Sequence, residues 1–269
     1  MIRLAVGLEY DGTDFAGWQS QRSSRTVQGL AEAALSEVAD EAVSLVCAGR
    51  TDAGVHAREQ VAHFETQAQR SARGWMLGGN TNLPTDVSIA WAREVPAHFH
   101  ARYSAEARTY RYFIFNRGAR SALTAGRAAH WHRRLDSDRM AEAAPFLLGE
   151  HDFSAFRSSE CQAHSAVRRV FEVSAERRGD WIAIEVVGNA FLHHMVRNIA
   201  GLLIAVGQGD AEPAWAQEVL KSRDRTKGAA TAPAEGLYLW KIRYSEAFAL
   251  PTANEDGERS AIIAGLPFA

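Results

Sequence analysis

A chain of 269 residues, 46% hydrophobic and 23% charged, has the composition of a globular protein with room for one large domain or two modest ones, and disorder, coiled coil and collagen are excluded. Its longest apolar stretches, such as Ala183 to Val187, fall far short of the roughly 20 residues of a membrane span, and the N-terminus alternates like a strand with an acid at Glu9 rather than forming a signal peptide. A net charge of -2 argues against a generic nucleic-acid coat, and two distant cysteines, Cys47 and Cys161, suggest neither a zinc ribbon nor a secreted disulfide framework, so a cytoplasmic setting with reduced thiols is expected.

Ile2, Leu4, Val6, Leu8 and Tyr10 alternate as one face of a strand, closed by the turn chemistry of Tyr10-Asp11-Gly12-Thr13. Thr26 then suits an N-cap, because Val27, Leu30, Ala31, Ala34, Leu35 and Val38 recur at helical spacing. A strand near 43–48, a strand near 58–65, a helix near 71–79 and a strand near 86–94 complete the order β-α-β-β-α-β. The remainder repeats it: a strand near 108–116, a helix near 136–148, strands near 166–177 and 180–188, a helix near 191–206 and a strand near 237–244, with a short extra helix near 212–221. This is the split-βαβ, ferredoxin-like order twice over, which predicts an α+β protein of two halves with mixed or antiparallel sheets and an active-site cleft between them. Residues 96–107 form the best joint. The expected division is an N-terminal domain over 1–104, a C-terminal domain over 105–245 and an acidic tail over 246–269.

Charge is informative by its distribution. Residues 101–134 carry eight arginines against one acid, Glu106, whereas beyond Tyr244 the sign reverses. A basic stripe on a near-neutral protein suits a phosphate backbone held in one groove; the same arginines also suit a solvated surface in a chain that uses 27 arginines and 3 lysines.

Three segments carry candidate chemistry. In Ala48-Gly49-Arg50-Thr51-Asp52-Ala53-Gly54-Val55-His56 two glycines bracket an arginine and a carboxylate directly after an apolar strand, so the loop turns sharply and aims Asp52 outward as an anionic nucleophile or charge stabiliser beside Arg50. An Asx-turn aspartate fits the same spacing. Over Arg108 to Asn116, Tyr110, Tyr112 and Ile114 share one strand face, and aromatics beside arginines suit unpaired bases as well as they suit a core. The segment Asn189 to Asn198 opens an apolar helix on which His193 and Arg197, at i and i+4, form one polar stripe; Arg197 is then a second partner for Asp52 across the cleft. Adjacent histidines, with His98/His100 and His130/His132, offer imidazoles, but no H-E-x-x-H or cysteine pair fixes a ligand geometry, so no metal is expected.

Gly49-Arg-Thr-Asp-Ala-Gly-Val-His56, Arg108-Thr-Tyr-Arg-Tyr112, His193-His-Met-Val-Arg-Asn198 and Ala234-Glu-Gly-Leu-Tyr-Leu239, preceded by Tyr10-Asp-Gly-Thr-Asp-Phe-Ala-Gly-Trp-Gln19, together resemble the tRNA pseudouridine synthase A family, in order, from about residue 2 to residue 244. The resemblance implies isomerisation of uridine to pseudouridine at positions 38, 39 and 40 of the tRNA anticodon arm, with no cofactor and no metal. It implies Asp52 as the nucleophile and Tyr110 as the residue packed on the target base. Arg197 resembles the basic residue paired with that aspartate, Arg50 an RNA contact, and Leu237 the apolar residue lining the uracil pocket. It further implies a homodimer whose partner is tRNA and not a membrane. The tail from Ser245 onward matches no motif. A non-catalytic tRNA-binding protein using the same basic strand is the alternative from another class.

Overall fold

The computed structural model describes residues 1–251, so most of the acidic tail lies outside the described residues. The described chain forms two compact units, one of Met1–Glu106 with the chain from Tyr238, the other of Ala107–Leu237.

In the first unit β1 (Ile2–Tyr10), α1 (Val27–Ala39), β2 (Val46–Cys47), β3 (His56–Thr66), α2 (Ala72–Asn82) and β4 (Val87–Val95) follow the expected order. Their strands lie in the order β4-β1-β3-β2, all antiparallel, which is the split-βαβ arrangement. In the centre of this sheet Val6 faces Ala62 on one side and Ala92 on the other. The second face of β1 is closed by small residues: a Cβ on Gly7 would lie 2.1 Å from the Trp91 indole, so glycine makes room for that ring. Thr26 caps α1 by accepting from the Gly29 N–H, and Ser71 caps α2 by accepting from that of Gly74, each cap contributing about 1 kcal/mol.

Two boundaries differ from expectation for local reasons. β2 is only two residues long because the chain before it is tied to α1: Ser36 Oγ accepts from the Val43 N–H at 2.9 Å, and the Glu32 carboxylate from that of Leu45 at 2.8 Å. α2 continues to Asn82, and it stops where Leu83, extended ahead of Pro84, returns its N–H to Gly79.

The second unit runs through β5 (Ala105–Asn116), β6 (Ala129–Trp131), α3 (Ser137–Ala143), β7 (Gly149–Asp152), β8 (Val167–Arg178), β9 (Trp181–Gly188), α4 (Met195–Gly207) and α5 (Trp215–Ser222) to the start of β10 (Leu237–Tyr244). The strands β5-β9-β8-β7 pair antiparallel, with Tyr112 opposite Ile184 and Ala175 opposite the same residue. The short strands β6 and β7 are additions to the expected order; β6 runs parallel to β5. α3 gives way to a 3-10 turn over Ala144–Leu147, because Pro145 has no N–H to donate to an α-helical ladder. α4 starts at Met195, not 191, because His194 adopts a left-handed conformation at φ 64° and ends the preceding loop. It is buried nearly all round, and at Gly201 the Ala230 carbonyl approaches to where a Cβ would be, 2.1 Å away. From Tyr238 the chain belongs to the first unit, where β10 runs parallel to β3 with Tyr238 opposite His56.

Candidate active site

Asp52 follows β2 on a loop that ends at β3, half-buried, with Arg50 exposed two residues before it. The loop is held by backbone and buried side chains from both directions. Ala48 donates its N–H to the Val61 carbonyl at 2.8 Å, and Gln60 Nε2 donates to the Gly49 carbonyl at 2.6 Å. The buried hydroxyls of Tyr10 and Thr51 lie 2.8 Å apart. Trp18 N–H donates to the Thr51 carbonyl at 3.0 Å, Gly54 N–H to Phe15 at 3.2 Å, and Val55 N–H to the Asp52 carbonyl at 3.1 Å. The turn is therefore closed by the Asp52 main chain, and Gly54 supplies the positive φ of 74° that the turn requires.

The segment Tyr10 to Trp18 is the cradle of this loop, a role that its sequence did not reveal. Gly17 has φ 96°, and a Cβ there would stand 2.7 Å from the Thr51 carbonyl oxygen and 3.1 Å from the Asp52 carbonyl carbon. At Gly12 the corresponding distance to the Val55 carbonyl oxygen is 2.0 Å. Only backbone can lie so close to backbone, which is the signal that the two glycines carry. Behind the loop, Asp11 accepts from the Thr13 N–H and hydroxyl and lies 3.2 Å from His56 Nδ1. The bond to His56 holds the Asp11 carboxyl well below the usual carboxylate range, against the opposing effect of burial. The Gly12 nitrogen lies 3.0 Å from the same Nδ1, and the His56 ring stacks on Tyr238 with ring centroids 4.4 Å apart, so the last residue of the Gly-Arg-Thr-Asp motif anchors β3.

In the second unit the two tyrosines of β5 part company. Tyr112 is fully buried and donates its hydroxyl to the Pro233 carbonyl at 2.9 Å; burial, foremost, raises its pKa. Tyr110 is 7% exposed and meets Phe191 edge-on at 5.0 Å. Arg197 donates Nε to the Ala232 carbonyl at 2.8 Å and accepts the Ala232 N–H on its own carbonyl. Arg197 and Tyr112 thus pin adjacent carbonyls of the strand-ward chain that delivers Leu237, which is buried at the start of β10. Gly236 permits this passage, since a Cβ would stand 2.8 Å from the Phe113 carbonyl oxygen and from the Tyr112 ring.

Several expectations need correction. His193 and Arg197 do not share a helix face, because His193 precedes α4; its ring lies against that of His194, 4.1 Å between centroids. The basic stripe is partly structural. Arg108 is buried and donates to the Asn189 carbonyl at 2.7 Å, and Arg111 pairs with Glu185 at 2.6 Å. Arg117, Arg120, Arg127, Arg133 and Arg134 are exposed. Of the other histidines, His63 and His100 accept backbone N–H groups on Nδ1, and His130 Nε2 lies 2.9 Å from the Arg117 carbonyl.

Residues 8–104 and 143–245 match the sequence model of a family described as tRNA pseudouridine synthase. The chain is 56% identical over 249 residues to the tRNA pseudouridine synthase A of Methylococcus capsulatus, covering 93% of this chain and 92% of that one. It is 54% identical to the protein of the same name from Nitrosococcus oceani, covering 93% and 96%, and 52% identical to that of Coxiella burnetii at the same coverage.

Proposed function

Since this chain belongs to the tRNA pseudouridine synthase family, we propose that it isomerises uridine to pseudouridine in the anticodon arm of tRNA, with Asp52 as the attacking carboxylate. The observation that supports Asp52 is its loop, fixed on both sides by main-chain bonds to Phe15 and Trp18 and by the buried Tyr10–Thr51 contact. A carboxylate so held meets the reacting atoms without first ordering its own backbone.

The reaction breaks the N1–C1′ glycosidic bond, turns the uracil and forms a C5–C1′ bond; the proton lost from C5 is balanced by the one gained at N1. It is redox-neutral and needs no phosphate energy. Asp52 acts by attack on C1′, by attack on the uracil ring, or as the base that forms a glycal, and each route uses one carboxylate. The target base must leave its stack, at a cost of a few kcal/mol when paired, and Tyr110 offers a replacement surface. Leu237 lines the uracil pocket, Arg197 supplies the cation for Asp52 and Arg50 contacts the RNA. The exposed arginines over 117–134 grip phosphates without reading sequence. The protein works as a homodimer on cytoplasmic tRNA.

The test is pseudouridine mapping on unmodified tRNA with the parent protein and Asp52→Asn. Product from the parent alone, with tRNA affinity kept within about threefold in the variant, is the expected result. Turnover by Asp52→Asn refutes the assignment, and tRNA binding without product by the parent returns the protein to the non-catalytic class.

A further inference from the structure

Residues 99–104 of the first unit form a turn in which nearly every group is committed. Phe99 is fully buried, and its carbonyl accepts from Arg3 at 2.7 Å. Ala101 donates its N–H to His63 Nδ1 at 3.1 Å and accepts from the Tyr244 hydroxyl at 2.6 Å. His100 and Ser104 are joined by two bonds, His100 N–H to Ser104 Oγ and Ser104 N–H to the His100 carbonyl. His100 Nδ1 accepts the N–H groups of both Arg102 and Tyr103. This rigid turn nevertheless presents Tyr103 to solvent: its ring rests on that of His100, 4.3 Å between centroids, while 77% of the residue is exposed. His100 rests in turn on His63 at 4.8 Å.

A large ring that is both preorganised and exposed has no role in the core. Its surroundings are basic. The Arg102 guanidinium lies 5.7 Å from the Tyr103 ring centre. Arg50 and Arg102 both act to lower the pKa of the Cys47 thiol, against the larger effect of its burial. Cys47 itself is unsuited to chemistry, since burial pushes its thiol up to about 12.

We propose that Tyr103, backed by His100 and flanked by Arg102, is a stacking platform for an unpaired tRNA nucleotide. Aromatic faces accept any base, and the adjacent Arg102 guanidinium holds a neighbouring phosphate, so the platform binds RNA without reading its sequence. A carboxylate-rich partner surface would engage Arg102 but would leave the ring without a stacking partner, so the arrangement favours RNA over a protein. The proposal rests on the tRNA-modifying function argued above.

The experiment compares the full-length parent with Tyr103→Ala, Tyr103→Phe and Arg102→Ala for affinity and steady-state kinetics on an unmodified tRNA, with sedimentation velocity alongside. Tyr103→Ala is expected to weaken binding by about 5- to 150-fold, the range of one lost stack, with the loss falling in KM. Tyr103→Phe keeps the ring face and stays within about twofold of the parent. Arg102→Ala flattens the salt dependence of binding by about one unit of slope. Affinity unchanged in Tyr103→Ala while the parent modifies tRNA overturns the platform alone. A change in sedimentation with tRNA affinity intact makes the surface a contact between copies and also overturns it. A parent that neither binds nor modifies tRNA removes the functional reading on which the platform stands.

Discussion

Gly17→Ala tests whether the Tyr10–Trp18 segment positions Asp52. At φ 96° an alanine is strained by about 1–3 kcal/mol wherever it stands. At this position its Cβ also lies 2.7 Å from the Thr51 carbonyl oxygen, so one backbone must retreat by about 0.7 Å to reach the 3.4 Å of ordinary contact. That carbonyl accepts the Trp18 N–H, and the displacement passes directly to Asp52, the next residue. A misplacement approaching 1 Å at a reacting group costs about 100-fold in rate. The expected result in single-turnover pseudouridine formation at saturating tRNA is therefore a fall of about two orders of magnitude, with stability lowered by a few kcal/mol in urea unfolding. Gly179→Ala provides the control. It carries a comparable positive φ of 60° in the β8–β9 turn, with nothing within 4 Å of the new Cβ, so it lowers stability while leaving the rate as it was. If Gly17→Ala also keeps its full rate, the cradle does not position Asp52 and the reasoning fails.

Tyr112→Phe deletes the bond to the Pro233 carbonyl and leaves that acceptor inside the protein, so stability falls by about 1–3 kcal/mol by denaturant melts; an unchanged midpoint shows that the bond holds nothing. Acid unfolding has one source in His63, whose pKa is lowered to about 4, first by burial and then by His100 and Arg3. The folded value lies below the unfolded one, near 6.5, so the unfolded chain takes up the proton first and stability is complete above about pH 6.5 and is lost between there and pH 4. The loss attributable to this buried ring is at most about 3 kcal/mol. His63→Gln should flatten the dependence of stability on pH in that window, and an identical slope in the variant excludes His63 as its cause.

What the sequence by itself determined were the features set by neighbours along the chain. The alternation of β1 and of β5, the helical spacing behind Thr26, and the glycines around Arg50 and Asp52 each act over a few residues, and each is present where expected. The motifs also singled out the candidate residues, because reaction chemistry constrains residue type and spacing more tightly than packing does. Tertiary structure decided which of those residues are committed elsewhere. Arg108 and Arg111 read as phosphate contacts until Asn189 and Glu185 take them, 81 and 74 residues away. His193 fell off the helix stripe through one left-handed residue, His194, and β2 lost its first residues to Glu32 and Ser36 of α1. No pattern within β10 says that its chain from Tyr238 joins the first unit, or that Gly17 lies against Thr51. These outcomes depend on which distant groups can satisfy a buried donor or fit beside a missing side chain. Such partners come together only when the chain has folded, so a local reading of the residues does not contain them.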